Sequence, residues 1–128
     1  MSKTVVYSPA VAIPVEAYSQ AIDTGNLVFC SGQLAYDAQT DSVLSGSAAE
    51  QTEYLMKNIE AVLNAAHLDF KHVVKATIYL TNMNDFAAVN EVYARYFPDN
   101  PPARATIGVA ALAKGAQVEI EVIASRTV

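Results

Sequence analysis

The chain has 128 residues, which suits one domain with a substantial core. Its 13 acidic and 8 basic side chains give a formal net charge of −5, without a run of basic residues. Nucleic acid is therefore not expected as the main partner, because phosphate binding needs clustered Lys and Arg. Charged residues make up only 16%, below the about 25% of ordinary soluble domains, so we expect part of the surface to be buried in a homo-oligomer. A monomer with a polar, uncharged exterior is the plain alternative.

The sequence carries no signal for a membrane or for secretion. No apolar stretch approaches the about 18 residues of a transmembrane span. The segment Met1–Thr4 leads into no apolar signal-peptide core. Cys30 is the only cysteine, which excludes an internal disulfide and favours a reducing compartment. We therefore expect a cytoplasmic protein.

The first predicted elements are two strands, residues 18–23 and 26–31, around a tight turn at Thr24-Gly25. Gly32 ends the second strand. Residues 33–46 are polar and rich in turn formers, so they are predicted to form a loop.

A long helix is predicted from Ala48 to His67. Ser47 and Glu50 have the spacing of a capping box, which satisfies two free amides at a helix start. Apolar residues then recur at helical spacing: Leu55, Ile59, Val62, Leu63 and Ala66.

A half-buried strand and a second helix follow. Apolar residues alternate with Lys75, Thr77 and Tyr79 at positions Val74, Ala76, Ile78 and Leu80. Asn84 or Asp85 is predicted to cap the second helix, and Pro98 to stop it. The apolar face of this helix consists of Phe86, Val89, Tyr93, Tyr96 and Phe97.

Two last strands, residues 104–112 and 117–125, are predicted to form a hairpin near Lys114-Gly115. The element order β-β-α-β-α-β-β favours an α+β domain: one mixed sheet with two helices on one face. In the last strand one face is apolar, at Val118, Ile120, Val122 and Ala124. The opposite face carries Glu119, Glu121 and Ile123, and we expect one sheet face to meet the helices and the other a neighbouring subunit.

Few kinds of catalytic site fit the residues available. His67, His72 and Cys30 lack the spacing of metal ligands, so no metal site is expected. Cys30-Ser31-Gly32 has no nearby base and no G-x-S-x-G elbow, which argues against a nucleophile there. Ser31 and Gly32 are instead read as a strand end that lets backbone groups approach a ligand. No glycine-rich phosphate loop is present, so no nucleotide cofactor is implied.

Arg104 and Glu119 are charges placed in apolar strands, which is costly unless they are paired or used. A guanidinium is the best protein partner for a small carboxylate, so the pair indicates a pocket for a small carboxylic acid. A structural ion pair is the plain alternative. In the predicted hairpin, however, Glu119 lies opposite about Ala110, and Arg104 lies about 20 Å further along that strand. We therefore expect the two to meet only across subunits, in a shared site.

Several segments match one family along essentially the whole chain. They are Tyr18-Ser19-Gln20-Ala21, Cys30-Ser31-Gly32-Gln33, Val74-Lys75-Ala76-Thr77, Asn84-Asp85-Phe86, Pro102-Ala103-Arg104 and Val118-Glu119-Ile120-Glu121, together with Asn90 and Tyr93. With these segments the chain resembles the RidA family, also called YjgF or UK114-like proteins. The arginine and the glutamate of the last two segments stand at the family's spacing.

The resemblance implies a chorismate-mutase-like fold, a homotrimer and ligand clefts between subunits. It also implies cofactor-independent hydrolysis of 2-imino and enamine acids, such as 2-iminobutanoate and 2-iminopropanoate. These acids are released by pyridoxal-phosphate enzymes such as threonine dehydratase, and hydrolysis yields 2-oxo acids and ammonia.

By position, Arg104 looks like the family's carboxylate-binding arginine and Glu119 like its water- or proton-handling glutamate. The resemblance places four further residues in the cleft: Tyr18, Ser31, Gly32 and Asn90. Thr106 departs from the cysteine that is common there, but its backbone amide can still serve a carboxylate. Substrate preference is the property that this change affects most.

Three other functions stay open. The first is a non-catalytic regulator that binds small carboxylates through Arg104, with Glu119 purely structural. The second is a ribonuclease or translation inhibitor, which the acidic charge and the lack of a basic aromatic stripe disfavour. The third is a chaperone-like role, which no residue specifies.

Overall fold

A computed structural model describes residues 3–128 and places them in an α+β domain, as predicted. Its two α-helices and eight strands, counted within the described residues, have the following bounds. They are β1 Thr4–Val6, β2 Ala21–Asp23, β3 Leu27–Gln33, β4 Tyr36–Asp37, β5 Ser42–Val43, α1 Ala48–Ala65, β6 Val73–Leu80, α2 Phe86–Ala94, β7 Ala103–Gly108 and β8 Val118–Ser125.

One mixed sheet organises the domain, with the strand order β1-β2-β3-β8-β6-β7. Only β6 and β7 pair in parallel, and the other neighbours are antiparallel. The edge strand β1 was not predicted, because three residues are too few to show an alternating pattern. The predicted loop 33–46 also contains a small separate ribbon of β4 and β5.

The predicted hairpin of the last two strands is wrong. Strand β8 lies between β3 and β6, while β7 is an edge strand that pairs only with β6. Strand β7 also stops at Gly108, four residues before the predicted end at Leu112. Because parallel strands need a long connection, β6 and β7 are joined through α2 instead of by a turn. The strongly alternating β8 takes the central place because it can bury one whole face.

Helix α1 begins with the predicted capping box, in which Ser47 and Glu50 bond each other's backbone amides. The helix ends at Ala65, two residues before the predicted His67. His67 adopts a left-handed conformation with φ of 63°, and its amide bonds the Asn64 carbonyl. The Leu68 amide bonds the Leu63 carbonyl, which completes a Schellman motif.

Helix α2 begins after Asp85, one of the two predicted caps, but the Asp85 side chain makes no capping hydrogen bond. The side chain of Asn82 instead caps a short 3-10 turn that leads into the helix. The helix ends at Ala94, before the predicted stop at Pro98. Its buried side chains face α1 and the sheet.

The core lies between the two helices and one face of the sheet. Its largest fully buried side chains are Leu55, Met56, Ile59, Leu63, Ile78, Leu80 and Ile120. Each contributes about 1.5–3 kcal/mol by leaving water. The alternation predicted for β8 is confirmed, since Val118, Ile120, Val122 and Ala124 are buried while Glu119, Glu121 and Ile123 are half-buried on the opposite face. No α-helix within residues 3–128 is long and apolar enough to cross a bilayer.

Candidate active site

Arg104 and Glu119 lie on opposite faces of the sheet. Arg104 is the register partner of Ala76, which faces the helices, whereas Glu119 is the partner of Tyr79, which faces away from them. Three residues along β6 and two strand spacings separate the pair, which puts their Cα atoms roughly 14 Å apart. The hairpin and its 20 Å estimate were wrong, but the two side chains do not meet within one chain.

The arginine is held by helix α2. Its Nη1 donates a hydrogen bond of 2.6 Å to Asn90 Oδ1. The guanidinium carbon lies 5.1 Å from the ring centroid of Tyr93 and 5.6 Å from that of Phe86. Cation–π contacts of this kind orient a guanidinium without using its N–H donors. No other hydrogen bond from this guanidinium forms within residues 3–128, so the remaining donors can receive an anion.

A cavity of about 450 Å³ lies beside this arginine. Its lining consists of Asn90, Tyr93, Ala94, Phe97, Pro101, Pro102 and Arg104. Most of this wall is apolar, so the arginine supplies the positive charge of an otherwise non-polar recess. We call Arg104, Asn90 and this recess the arginine half-site.

Two hydroxyl groups near the arginine are buried without a hydrogen-bond partner in the described part of the chain, Tyr93 Oη and Thr106 Oγ1. Thr106 pairs with Ile78 in the sheet and lies on the same face as Arg104. Burial raises the pKa of Tyr93 to about 12, so this phenol stays protonated. A buried polar group without a partner costs about 1–3 kcal/mol, a strain that groups at binding sites often carry.

On the opposite face, Glu119 lies against the backbone of Gly32. A bulge between Cys30 and Gln33 puts one extra residue into β3 opposite β8. A Cβ atom added to Gly32 would lie 2.2 Å from Glu119 Oε2, so only glycine leaves room for the carboxylate. The close approach of the Glu119 side chain therefore explains the glycine. The approach of a ligand to this backbone, which the sequence suggested, stays a prediction.

The Glu119 carboxyl group is half-buried, and burial is the main cause that raises its pKa. The negative charge of Glu121 raises it further. No ion pair within 4.0 Å joins Glu119 to a cation in residues 3–128, so the plain alternative of an ion pair with Arg104 does not hold within the chain. A raised pKa makes this carboxyl group a stronger proton acceptor than an exposed glutamate.

Ser31 and Tyr18 flank Gly32 in different ways. Ser31 Oγ donates a 2.6 Å hydrogen bond to the Ser19 carbonyl, and its amide bonds the Gln20 carbonyl at 2.9 Å. The Ser31 side chain therefore fixes the bulge to the segment just before β2. Tyr18 is exposed and lines, together with Gly32, a second cavity of about 550 Å³. We call Glu119, Gly32 and this cavity the glutamate half-site.

The sequence reasoning missed three residues at the wall of this second cavity: Tyr36, Asp41 and Lys114. Lys114 Nζ lies 3.4 Å from Asp41 Oδ1 and 5.4 Å from the Tyr36 ring centroid. Lys114 was seen only as part of a turn. Residues 41 and 114 are far apart in sequence, so no local pattern could have joined them.

The residues considered for other chemistry lie apart from both half-sites. Cys30 is buried in the core, and burial raises the pKa of its thiol to about 12, which leaves it unreactive. His72 Nδ1 lies 3.2 Å from Asp69 Oδ1 in a local cap. Within the described residues no cluster of three or more His, Cys, Asp or Glu side chains suits a metal ion.

Comparisons with known proteins agree with this architecture. A family model described as Endoribonuclease L-PSP matches residues 9–126. The chain is 47% identical over 126 residues to "Protein DfrA" of Myxococcus xanthus, covering 97% of this chain and 96% of that protein. It is 45% identical over 107 residues to the human 2-iminobutanoate/2-iminopropanoate deaminase, covering 84% and 78%.

A solved structure shows the same fold. The crystal structure of E. coli TdcF with bound serine superposes with a TM-score of 0.90 at 32% identity, covering 97% of this chain and 99% of that one. The resemblance to RidA-type proteins that the motifs indicated is confirmed by these matches.

Proposed function

Because the chain belongs to the Endoribonuclease L-PSP family, which includes the RidA proteins, we propose that it hydrolyses 2-imino acids to 2-oxo acids and ammonia. Substrates of this class include 2-iminobutanoate and 2-iminopropanoate, the imines in the name of the human relative. We further propose a homotrimer in which the arginine half-site of one subunit faces the glutamate half-site of the next.

The observation that carries this proposal is the division of the site. Arg104 has free donors in a mostly apolar recess, and Glu119 has a half-buried carboxyl group with a raised pKa against the backbone of Gly32. Each half is incomplete alone, because an imino acid carries both a carboxylate and a C=N bond. A second copy of the chain supplies the missing half without any new residue.

The chemistry follows from these groups. The guanidinium of Arg104 holds the planar carboxylate of the substrate with two parallel hydrogen bonds. The backbone amide of Thr106 adds a donor, and a carbonyl near Gly32 accepts from the iminium nitrogen. Tyr18 closes the cleft over the substrate. Placing water and substrate together removes much of the entropic cost of hydrolysis.

The Glu119 carboxylate takes a proton from the water that attacks the imine carbon, which forms a carbinolamine. It then gives that proton to the amine nitrogen. The C–N bond breaks and ammonia leaves. The hydroxyl group gives its proton to the Glu119 carboxylate, and its carbon becomes the carbonyl of a 2-oxo acid. The released ammonia takes up this proton and restores the carboxylate. No electrons are exchanged with a cofactor in this sequence of steps.

The deciding experiment is a coupled assay with threonine dehydratase. The dehydratase releases 2-iminobutanoate from threonine, and the formation of 2-oxobutanoate is followed with and without this protein. We expect the protein to raise the rate of 2-oxobutanoate release in proportion to its concentration. A rate equal to that of spontaneous hydrolysis would reject the proposal.

Two alternatives have an observation in their favour. The bound serine in the E. coli relative favours a regulator that binds small amino or carboxylic acids. Such a regulator would bind 2-oxobutanoate in calorimetry but leave the coupled assay unchanged. The description of the family model favours a ribonuclease, which would cleave a labelled RNA that the Arg104→Ala variant leaves intact.

A further inference from the structure

A second carboxylate lies beside Glu119 on the open face of the sheet. Glu121 follows two residues later on β8, so both side chains project from the same face with their Cα atoms about 7 Å apart. Both are half-buried. Two carboxylates this close repel each other when both are ionised, so a structural feature must keep them together.

Tyr79 holds this second carboxylate. It is the register partner of Glu119 on β6, yet its hydroxyl donates to Glu121 Oε1. The phenol therefore reaches diagonally across the strands, from the level of Glu119 to the carboxylate of Glu121. The bond keeps the Glu121 carboxylate over the sheet and close to Glu119. Without this bond, the Glu121 side chain would turn toward the solvent.

No cation neutralises this pair in residues 3–128. Lys75 lies on the same face of β6, but no ion pair within 4.0 Å joins it to either carboxylate. On the other side, the β3 residues that face the pair are not titratable. Within one chain, the hydrogen bond from Tyr79 therefore holds the Glu121 carboxylate in place against this repulsion. In keeping with this, the pKa of Glu119 is raised mainly by burial and further by the charge of Glu121, and the hydrogen bond to Glu121 raises the pKa of Tyr79. In the proposed trimer, the arginine half-site of the next subunit also faces Glu119.

We propose that Glu121, fixed by Tyr79, is a positioning residue that keeps a transferable proton on Glu119 during imine hydrolysis. This inference rests on the function proposed above. The fixed charge of Glu121 disfavours the ionised form of Glu119, so the carboxyl that accepts the proton of water does not lose it to solvent. The same proton then reaches the amine nitrogen before ammonia leaves. Neither Glu121 nor Tyr79 contacts the reacting atoms.

The test follows the Glu119 carboxyl carbon by NMR in protein labelled with ¹³C-glutamate. The signal is assigned by its loss in Glu119→Gln. In Glu121→Gln we expect the Glu119 titration to move to lower pH by about half a unit or more. In Tyr79→Phe we expect a smaller shift in the same direction, since the Glu121 carboxylate then swings away.

Glu60→Gln is the matched control, because it removes one negative charge from an exposed position on α1. It should leave the Glu119 titration in place. An unchanged titration in Glu121→Gln, or a move to higher pH in Tyr79→Phe, would overturn the inference.

The dependence of kcat/KM on pH supplies a second readout. The acidic limb of kcat/KM should move with the NMR titration, whereas loss of a merely structural contact would lower the rate without moving the limb. If the wild-type protein hydrolyses no imine, the proposed function fails, but the NMR titration still reports whether Glu121 acts on Glu119.

Discussion

The two half-sites stabilise their charges in opposite ways. Arg104 lies on an edge strand, exposed, with an amide and two aromatic rings of α2 around it. Glu119 lies on a central strand, half-buried, with another carboxylate near it and no cation within ion-pair distance in the described residues. The surroundings of Arg104 stabilise its positive charge, whereas the surroundings of Glu119 disfavour the ionised carboxylate.

In the proposed reaction, this difference assigns substrate binding to Arg104 and proton transfer to Glu119. An arginine stabilised by rings and an amide keeps its donors free for an incoming carboxylate. A carboxyl group whose charged form is disfavoured is a stronger proton acceptor than an exposed one. Because the sheet lies between them, neither half disturbs the electrostatics of the other within a chain.

The largest effect is expected from Arg104→Ala, which removes the only charge of the arginine half-site. Loss of two charge-assisted hydrogen bonds should lower kcat/KM for 2-iminobutanoate by about 100-fold or more. The coupled dehydratase assay measures this. Arg95→Ala is the matched control, since Arg95 lies just after α2 in an exposed pair with Glu91 and should leave the rate unchanged. Full activity in Arg104→Ala would reject its role.

Mixing two inactive variants tests whether the halves work together across subunits. Glu119→Gln alone should bind 2-oxobutanoate normally but turn over slowly, because it keeps the shape and loses the proton. When it is refolded together with Arg104→Ala, about a quarter of the interfaces in a random ring combine two intact halves. We expect activity to return to about that fraction. Mixed oligomers as inactive as their parents would mean that both residues act within one chain.

Gly32→Ala probes the glutamate half-site alone. The new Cβ would meet the Glu119 carboxylate, which must turn away, so we expect kcat to fall by about tenfold with little change in KM. Gly108→Ala is the control, because its Cβ meets only the flexible side chain of Met83. Circular dichroism should show similar melting for both, and unchanged kcat in Gly32→Ala would mean that this contact is not needed.

The smallest effect is expected from Thr106→Val, on the arginine side. Valine keeps the shape and the backbone amide but removes a buried hydroxyl without a partner. The free energy of unfolding should rise by about 1 kcal/mol, and urea denaturation measures it. Binding of 2-oxobutanoate should persist through the amide. A loss of stability would show that the hydroxyl has a partner in the assembled protein.

Local patterns predicted the elements whose own residues determine them. Helix α1 followed from the Ser47–Glu50 capping box and its apolar spacing, and β8 followed from strict alternation. The pairing of β7 with β6 was missed because strands that follow each other in sequence, such as β7 and β8, usually form hairpins. Here α2 connects β6 to β7, and β7 lies at the edge of the sheet. Strand order depends on which strand buries more surface, and that comparison involves the whole sheet.

The same limit applies to the candidate site. The types of residue, and the resemblance, identified Arg104 and Glu119. Alternation in β8 correctly placed Glu119 on the face opposite the apolar residues. The position of Arg104 on the face toward the helices was not predicted, because the supposed hairpin assigned the wrong register. The bond between Tyr79 and Glu121 joins residues 42 positions apart in sequence, so it becomes visible only once β6 and β8 are aligned.

The bulge in β3 constrains the number of residues in this segment more tightly than it constrains their identity. Before it, Cys30 pairs with Val122 on the core side, and after it Gln33 pairs with Ile120 on the same side. One extra residue thus shifts the phase of the strand before its last paired residue. A substitution at Ser31 changes one contact, but deletion of one residue would turn Gln33, the end of the strand, to the wrong face. Insertions and deletions should therefore be excluded from this short segment wherever the fold and its glutamate half-site are kept.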